Sequence, residues 1–304
     1  MPIKTEIDAT KVTGIDVLKN KAMKITLNRR KLNRNAIDKD ISIEVKDMKG
    51  VTENGALRVN KSLFSKQATD TYMKLYNEAS KYYYRCTTPW DNNGWRLLSV
   101  DMFEEFTKRF KKFTMDYRSA VVDFINQVES HVEEAKGILG SAFKIEDYKF
   151  ISANGSVDRQ MLEDCFELSL EFDVITAGED IRCELTEADR DAIAEQVNKA
   201  SLAKFARTQE AIAKQLVDCI GALHERLSGS DNVFRDTLIG NLEDLCDLVP
   251  RMNIAGDEAM NKLAQDAKRD LCSWDPQTLR TNEEVREAVS KRADNLLKNA
   301  KGLI

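Results

Sequence analysis

Side chains able to move protons or hold a metal are sparse in this chain. There are two histidines, His131 and His224, and histidine is the residue best matched to either task near neutral pH. His224-Glu225 opens like the helix of a zinc protease, but Ser228 stands where the second histidine must lie one turn later, so that site cannot form. Neither histidine has a glutamate three residues before it, because Val128 and Gly221 occupy those places, which removes the di-iron bundle signature. Six cysteines (Cys86, Cys165, Cys183, Cys219, Cys246, Cys272) are scattered without a CxxC pair or a disulfide-scaffold spacing, and read as reduced, mostly buried thiols. No GxxxxGK[ST] phosphate loop, GxGxxG turn or GxSxG elbow occurs. The acidic pairs Glu104-Glu105, Glu133-Glu134 and Glu283-Glu284 put neighbouring carboxylates on different helix azimuths, where they face water. The expectation is therefore no catalytic residue, no metal, no cofactor and no enzyme.

Two clusters point instead to binding. Residues 17–37 hold no acid yet carry Lys19, Lys21, Lys24, Arg29, Arg30, Lys31 and Arg34. They are either a phosphate-binding patch, extended by Lys108, Arg109, Lys111 and Lys112, or a solvated basic arm without aromatic residues for base stacking. In residues 82–97, Tyr84, Trp90 and Trp95 surround Pro89 and the turn-forming Asp91-Asn92-Asn93-Gly94. This loop is either a partner surface or its own small aromatic core.

The elements that must carry these residues are mostly helices. Phe103, Phe106, Phe110, Phe113, Tyr117, Val121, Phe124, Val128 and Val132 recur at steps of three and four, predicting one long helix over 101–139. A second runs from the capping Thr186 to about Leu227, striped by Ile193, Val197, Phe205, Ile212, Leu216, Ile220 and Leu223, and Ser228-Gly229-Ser230 ends it. Two such helices predict an antiparallel pair. Between them, Leu168 to Val174 alternates with the period of a strand, while 159–168 fits a short helix equally well. A helix over 62–85 precedes them, and three shorter ones follow: 232–249 stopped by Pro250, 257–271, and 282–300 opened by a Thr281/Glu284 capping box. The β-branched stretches 24–27 and 41–45 read as extended, with a turn at Asn54-Gly55. The fold class is thus mainly α, with long antiparallel helices in a bundle or coiled-coil-like pair, a small mixed α/β insert and a less regular N-terminal segment. The chain divides into an N-terminal basic segment (1–60), the first helices with the aromatic loop (61–140), the insert (141–185) and the C-terminal helices (186–304).

Composition agrees with that class. In 304 residues there are only four prolines, charged residues make up 32%, and the net charge is −5. The acidic balance argues against a surface that is basic all round. With no signal core and no apolar run long enough to span a bilayer, the expectation is a cytoplasmic protein without membrane contact.

The helix ending in Tyr83-Tyr84-Arg85, the Pro89 loop, the opening Met102-Phe103-Glu104-Glu105-Phe106, and Asn241-Leu242-Glu243-Asp244-Leu245 within 234–271 carry one further signal. Over about two-thirds of the chain this pattern resembles an uncharacterised helical family encoded mainly by bacteriophages, often beside a MoxR-type AAA+ ATPase and a von Willebrand A-type protein. The resemblance implies a phage protein acting in the host cytoplasm with an ATPase partner, and transfers no active-site residue. The sequence thus predicts a non-enzymatic interaction or assembly protein, partnered by an AAA+ ATPase or by itself; the alternative is a nucleic-acid-binding accessory protein.

Overall fold

The computed structural model describes residues 15–53, 55–152, 154–229 and 237–300. The readings placed on residues 1–14, Asn54, Ser230 and the helix start at Asn232 lie outside them. In chain order the elements are α1 (Ile15–Lys21), β1 (Ala22–Arg30), β2 (Asn35–Asp38), α2 (Lys39–Met48), β3 (Val59–Ser62), α3 (Lys66–Cys86), β4 (Thr88–Pro89), β5 (Arg96–Ser99), α4 (Val100–Asn126), α5 (Val128–Leu139), α6 (Arg159–Glu163), β6 (Glu167–Asp173), α7 (Glu187–Ser228), α8 (Thr237–Met252), α9 (Glu258–Ala267), α10 (Pro276–Thr281) and α11 (Glu283–Ala300). The protein is mainly helical with a small sheet. No helix among the described residues is long and apolar enough to cross a membrane. The chain forms two compact units that are discontinuous in sequence: a larger one of Met1–Thr26, Tyr83–Thr107 and Glu171–Ile304, and a smaller one of Leu27–Tyr82 and Lys108–Leu170. Their boundaries fall inside β1, α3, α4 and β6 rather than near residues 60, 140 and 185.

The smaller unit is built on aromatic packing. Phe64 meets Phe124 and Tyr148 edge-on at 5.2 and 5.6 Å, and Tyr72 meets Phe124 and Phe166 at 5.2 and 5.3 Å. Such edge-to-face pairs add to area burial because ring faces are electron-rich and edges electron-poor. β2 and β3 pair antiparallel, Asn35 opposite Ser62. Residues 41–45, read as extended, are helical in α2. Asp38 caps the helix by accepting from Ile41 N, and Ser42 Oγ both donates to Asp38 O and accepts from Val59 N. Ile41 and Val45, an i,i+4 pair, are half-buried while Ile43 points to solvent, so an alternation of three apolar residues serves a helix. The long helix over 101–139 is two helices. At Gln127 the backbone N–H turns back to Phe124 O, and the Gln127 side-chain amide donates to the Asp123 carbonyl that this bond abandons. Phe124 and Val128 stay buried on either side of the break.

In the larger unit the strand order is β4-β5-β1-β6, with β1 and β5 antiparallel from Ala22 opposite Ser99 to Ile25 opposite Arg96. The aromatic loop is a hairpin. β4 pairs with β5, Trp90 N donates to Trp95 O, Asp91 Oδ1 accepts from the backbone of Asn93 and Trp95, and Gly94 supplies the positive φ of +92°. Thr186 caps α7 through Asp189 N, as its position predicts. The stripe of α7 is covered by α11, α8 and α9, which take the place assigned above to the 101–139 stripe. Two stops differ from expectation. α8 carries Pro250 in its last turn and runs on to Met252, since there the ring removes a single backbone bond while Val249 and Met252 remain buried. α11 is capped by Asn282, which accepts from Val285 N, and Thr281 belongs to the end of α10.

Candidate functional site

A concavity of about 960 Å³ is an open groove of the smaller unit along α3. One wall is Lys66, Thr69, Asp70, Thr71, Met73, Lys74, Leu75, Asn77 and Glu78; the other is the turn after β1, with Lys31, Asn33, Arg34 and Asn35. Lys66, Asp70, Lys74 and Glu78 repeat every four residues and so share one helix face. Lys74 lies 4.0 Å from Glu78, whereas Lys31, Arg34 and Lys66 have no carboxylate partner among the described residues. Lys31 Nζ sits 4.7 Å from the Tyr76 ring centre and the Arg29 guanidinium 5.7 Å from it. α3 thus supplies the aromatic neighbour that the basic stretch lacks in sequence.

The rest of the basic stretch is spoken for. Lys19 pairs with Asp180 at 3.0 Å and Arg30 with Glu167 at 2.9 Å; Lys24 pairs with Asp173 and lies 5.3 Å from the Trp95 ring. Asp173 and Asp180 are held below the usual carboxylate range, Asp173 chiefly by the Lys24 hydrogen bond and Asp180 chiefly by the amide of Ala177 and then by Lys19. Lys21 is exposed. The seven residues also divide between units, Lys19, Lys21 and Lys24 in the larger and Arg29, Arg30, Lys31 and Arg34 in the smaller. On α4, Arg109 stacks on Tyr82 at 4.6 Å and Lys112 pairs with Asp116 at 2.8 Å, while Lys108 and Lys111 are exposed.

The aromatic trio does not form one exposed face. Trp90 is buried in a cluster with Ile15, Leu18, Leu97, Ile175, Phe205 and Ile254, Trp95 packs half-buried against it, and exposed Tyr84 lies under the Arg96 guanidinium at 5.0 Å. Of the two readings of this loop, Trp90 takes the core one.

The fold brings together two sets of chemically capable residues. His224 Nδ1 is 3.1 Å from the Ser290 carbonyl, 3.2 Å from Ser290 Oγ and 3.4 Å from Ser228 Oγ. A carbonyl only accepts, so Nδ1 carries its proton toward it and is not a free base for either hydroxyl; the trio clips α7 to α11. The thiols of Cys246 on α8 and Cys272 are in hydrogen-bonding contact, with Cys219 of α7 close by. The bond with Cys246 lowers the Cys272 thiol, while the same bond and burial raise Cys246. Separated in sequence by turns and whole helices, these cysteines give no spacing signal. Among the described residues no group of His, Cys, Asp or Glu is arranged to hold a metal ion.

The larger unit also exposes an arm. No side chain of α7 is fully buried before Phe205, although Ala194, Val197, Asn198, Ser201, Leu202 and Lys204 are half-buried. One side of this arm is met by residues 175–181: Gly178 lies against Ala194, its N–H donates to Asn198 Oδ1 at 2.8 Å, and Ser201 Oγ reaches Thr176 O at 3.5 Å. Helical periodicity puts Ala188, Ala192 and Gln196 on the opposite side, where all three are exposed. Neither a protein-family model nor a curated protein nor a solved structure matches the chain.

Proposed function

We propose that the protein is a non-catalytic interaction protein that engages another protein through the α7 arm. The carrying observation is an ordered helical stretch of eighteen residues that fully buries no side chain. Helical stability in proteins comes mainly from packing an apolar face. Here Ala188 and Ala192, with Ile193 beside them and Leu185 just ahead of the cap, offer small and apolar contacts that the chain itself leaves uncovered. Glu187, Asp189, Asp191 and Glu195 make the surrounding surface acidic. The partner that fits is an apolar groove with a basic rim, entered by a helix through i and i+4 anchors. A MoxR-type AAA+ ATPase in a phage-infected cytoplasm is the partner implied by the family resemblance, and a coiled-coil pairing of two arms is the self-associating form of the same reading.

The test is site-specific photo-crosslinking in the expressing cell. A crosslinker at position 192 should give one dominant protein adduct, abolished by Ile193→Asp, and a crosslinker at exposed Lys262 on α9 should not. Equal labelling from both positions would remove the arm from consideration.

A further inference from the structure

We infer that the α3 groove binds single-stranded nucleic acid, tracking its phosphates with Lys31, Arg34 and Lys66. Several cations elsewhere in the smaller unit are matched: Arg30 to Glu167, Lys61 to Asp38 and Asp147, Lys144 to Asp40, Lys112 to Asp116. The groove gathers in one recess three cations that no described carboxylate neutralises. Fixed positive charge on the wall of a recess attracts a polyanion, and the counterions released from the polymer supply the affinity.

The groove also presents acceptors. Asp70 has no described cation partner, and the side chains of Asn33 and Asn77 are exposed with no described hydrogen bond. A nucleic acid brings phosphates for the cations and base amino groups for the acceptors, whereas an acidic peptide brings carboxylates alone to both. The shape selects a strand over a duplex, because duplex grooves are read by an element that protrudes into them and this site is concave. The site is in the smaller unit and shares no residue with the α7 arm.

Fluorescence anisotropy with a labelled single-stranded oligonucleotide of mixed sequence, over a salt series and with the full chain, tests the inference. Wild-type affinity should fall steeply with salt. Arg34→Ala/Lys66→Ala removes two phosphate contacts and should flatten the slope of log K against log salt by about 1.4, at roughly 0.7 per contact for a single strand. Lys108→Ala/Lys111→Ala, exposed and on α4, should leave slope and affinity unchanged. No binding at low salt, a slope the groove variant does not alter, or polyglutamate competing as well as unlabelled oligonucleotide at equal charge would each overturn the assignment.

Discussion

A methyl group on Gly178 would come within 2.6 Å of the Cα, Cβ and carbonyl oxygen of Ala194. Two of those atoms are backbone, so no side chain can swing away. In Gly178→Ala the turn and the arm must separate, which weakens the Gly178–Asn198 bond of 2.8 Å and the Ser201–Thr176 contact. Forced overpacking of this kind costs about 1–3 kcal/mol. The opposing effect is the reduced freedom of the unfolded chain, which stabilises a Gly→Ala change at a compatible position by about 0.4–1 kcal/mol. The two terms have opposite signs, so the experiment decides between them. With the contact as described, a net loss of about 1–2 kcal/mol should appear as a roughly five- to thirtyfold drop in native-state hydrogen-exchange protection of the amides over 190–203. Gly137→Ala on α5, where an added methyl meets nothing within 4 Å, should instead stabilise its helix by up to about 1 kcal/mol. If Gly178→Ala leaves protection over 190–203 unchanged or raises it, residues 175–181 do not cover that side of α7, and the reasoning that leaves only the Ala188–Ala192 side for a partner fails.

Two other outcomes follow from groups that the fold brings together. Cys272 is half-buried where Cys246 is buried, and the contact between them lowers the Cys272 thiol, so Cys272 should be alkylated by iodoacetamide at pH 7 well before Cys246 and Cys246→Ala should slow Cys272, read by peptide mass spectrometry. Lys61 is buried against Asp38 at 2.9 Å, Asp147 at 2.7 Å and the Ala142 carbonyl at 3.0 Å, a full set of acceptors for one ammonium group. The Lys61 hydrogen bond holds Asp38 below its usual value, and the two carboxylates raise Lys61 against the opposing effect of burial. The depressed Asp38 contributes fully above its unfolded pKa near 4 and loses that contribution as pH falls through its lower folded value. The raised Lys61 contributes below its unfolded pKa near 10 and loses its share as pH climbs through the higher folded value. Exchange protection of the β2 and β3 amides should therefore be level between about pH 5 and 9 and decline on both sides; a Lys61→Met chain whose acid-side decline is as large as the wild type's would refute the assignment, since only the share from the Ile41 amide should remain.

Much of the fold is legible in the sequence because its causes are local. The three-and-four spacing of Phe106, Phe110, Tyr117 and Phe124 marks an amphipathic face whatever covers it, and all four are buried. Thr186 caps α7 because its hydroxyl reaches an amide three residues on. The alternation over 168–174 becomes β6, and the stretch 24–27 becomes the middle of β1. Local pattern misleads where a short-range bond outweighs periodicity, as when Asp38 and Ser42 turn an alternating stretch into α2 and Gln127 divides one apolar stripe between two helices.

What only the tertiary structure decides is how charge and reactivity are spent. A run of basic residues looks uniform in sequence, yet Lys19, Lys24 and Arg30 are neutralised by acids 137 to 161 residues away or on the neighbouring β6, and Lys31 and Arg34 are left lining a groove whose other wall is α3. Trp90 becomes core and Ala192 surface because burial depends on which elements arrive opposite a residue. The cysteines meet only once α7, α8 and the π-helical turn Lys268–Cys272 have packed. Helix and strand formation depend on neighbours within a few residues, which a sequence displays; Coulomb pairing, burial and site geometry depend on neighbours in space, which chain packing alone creates.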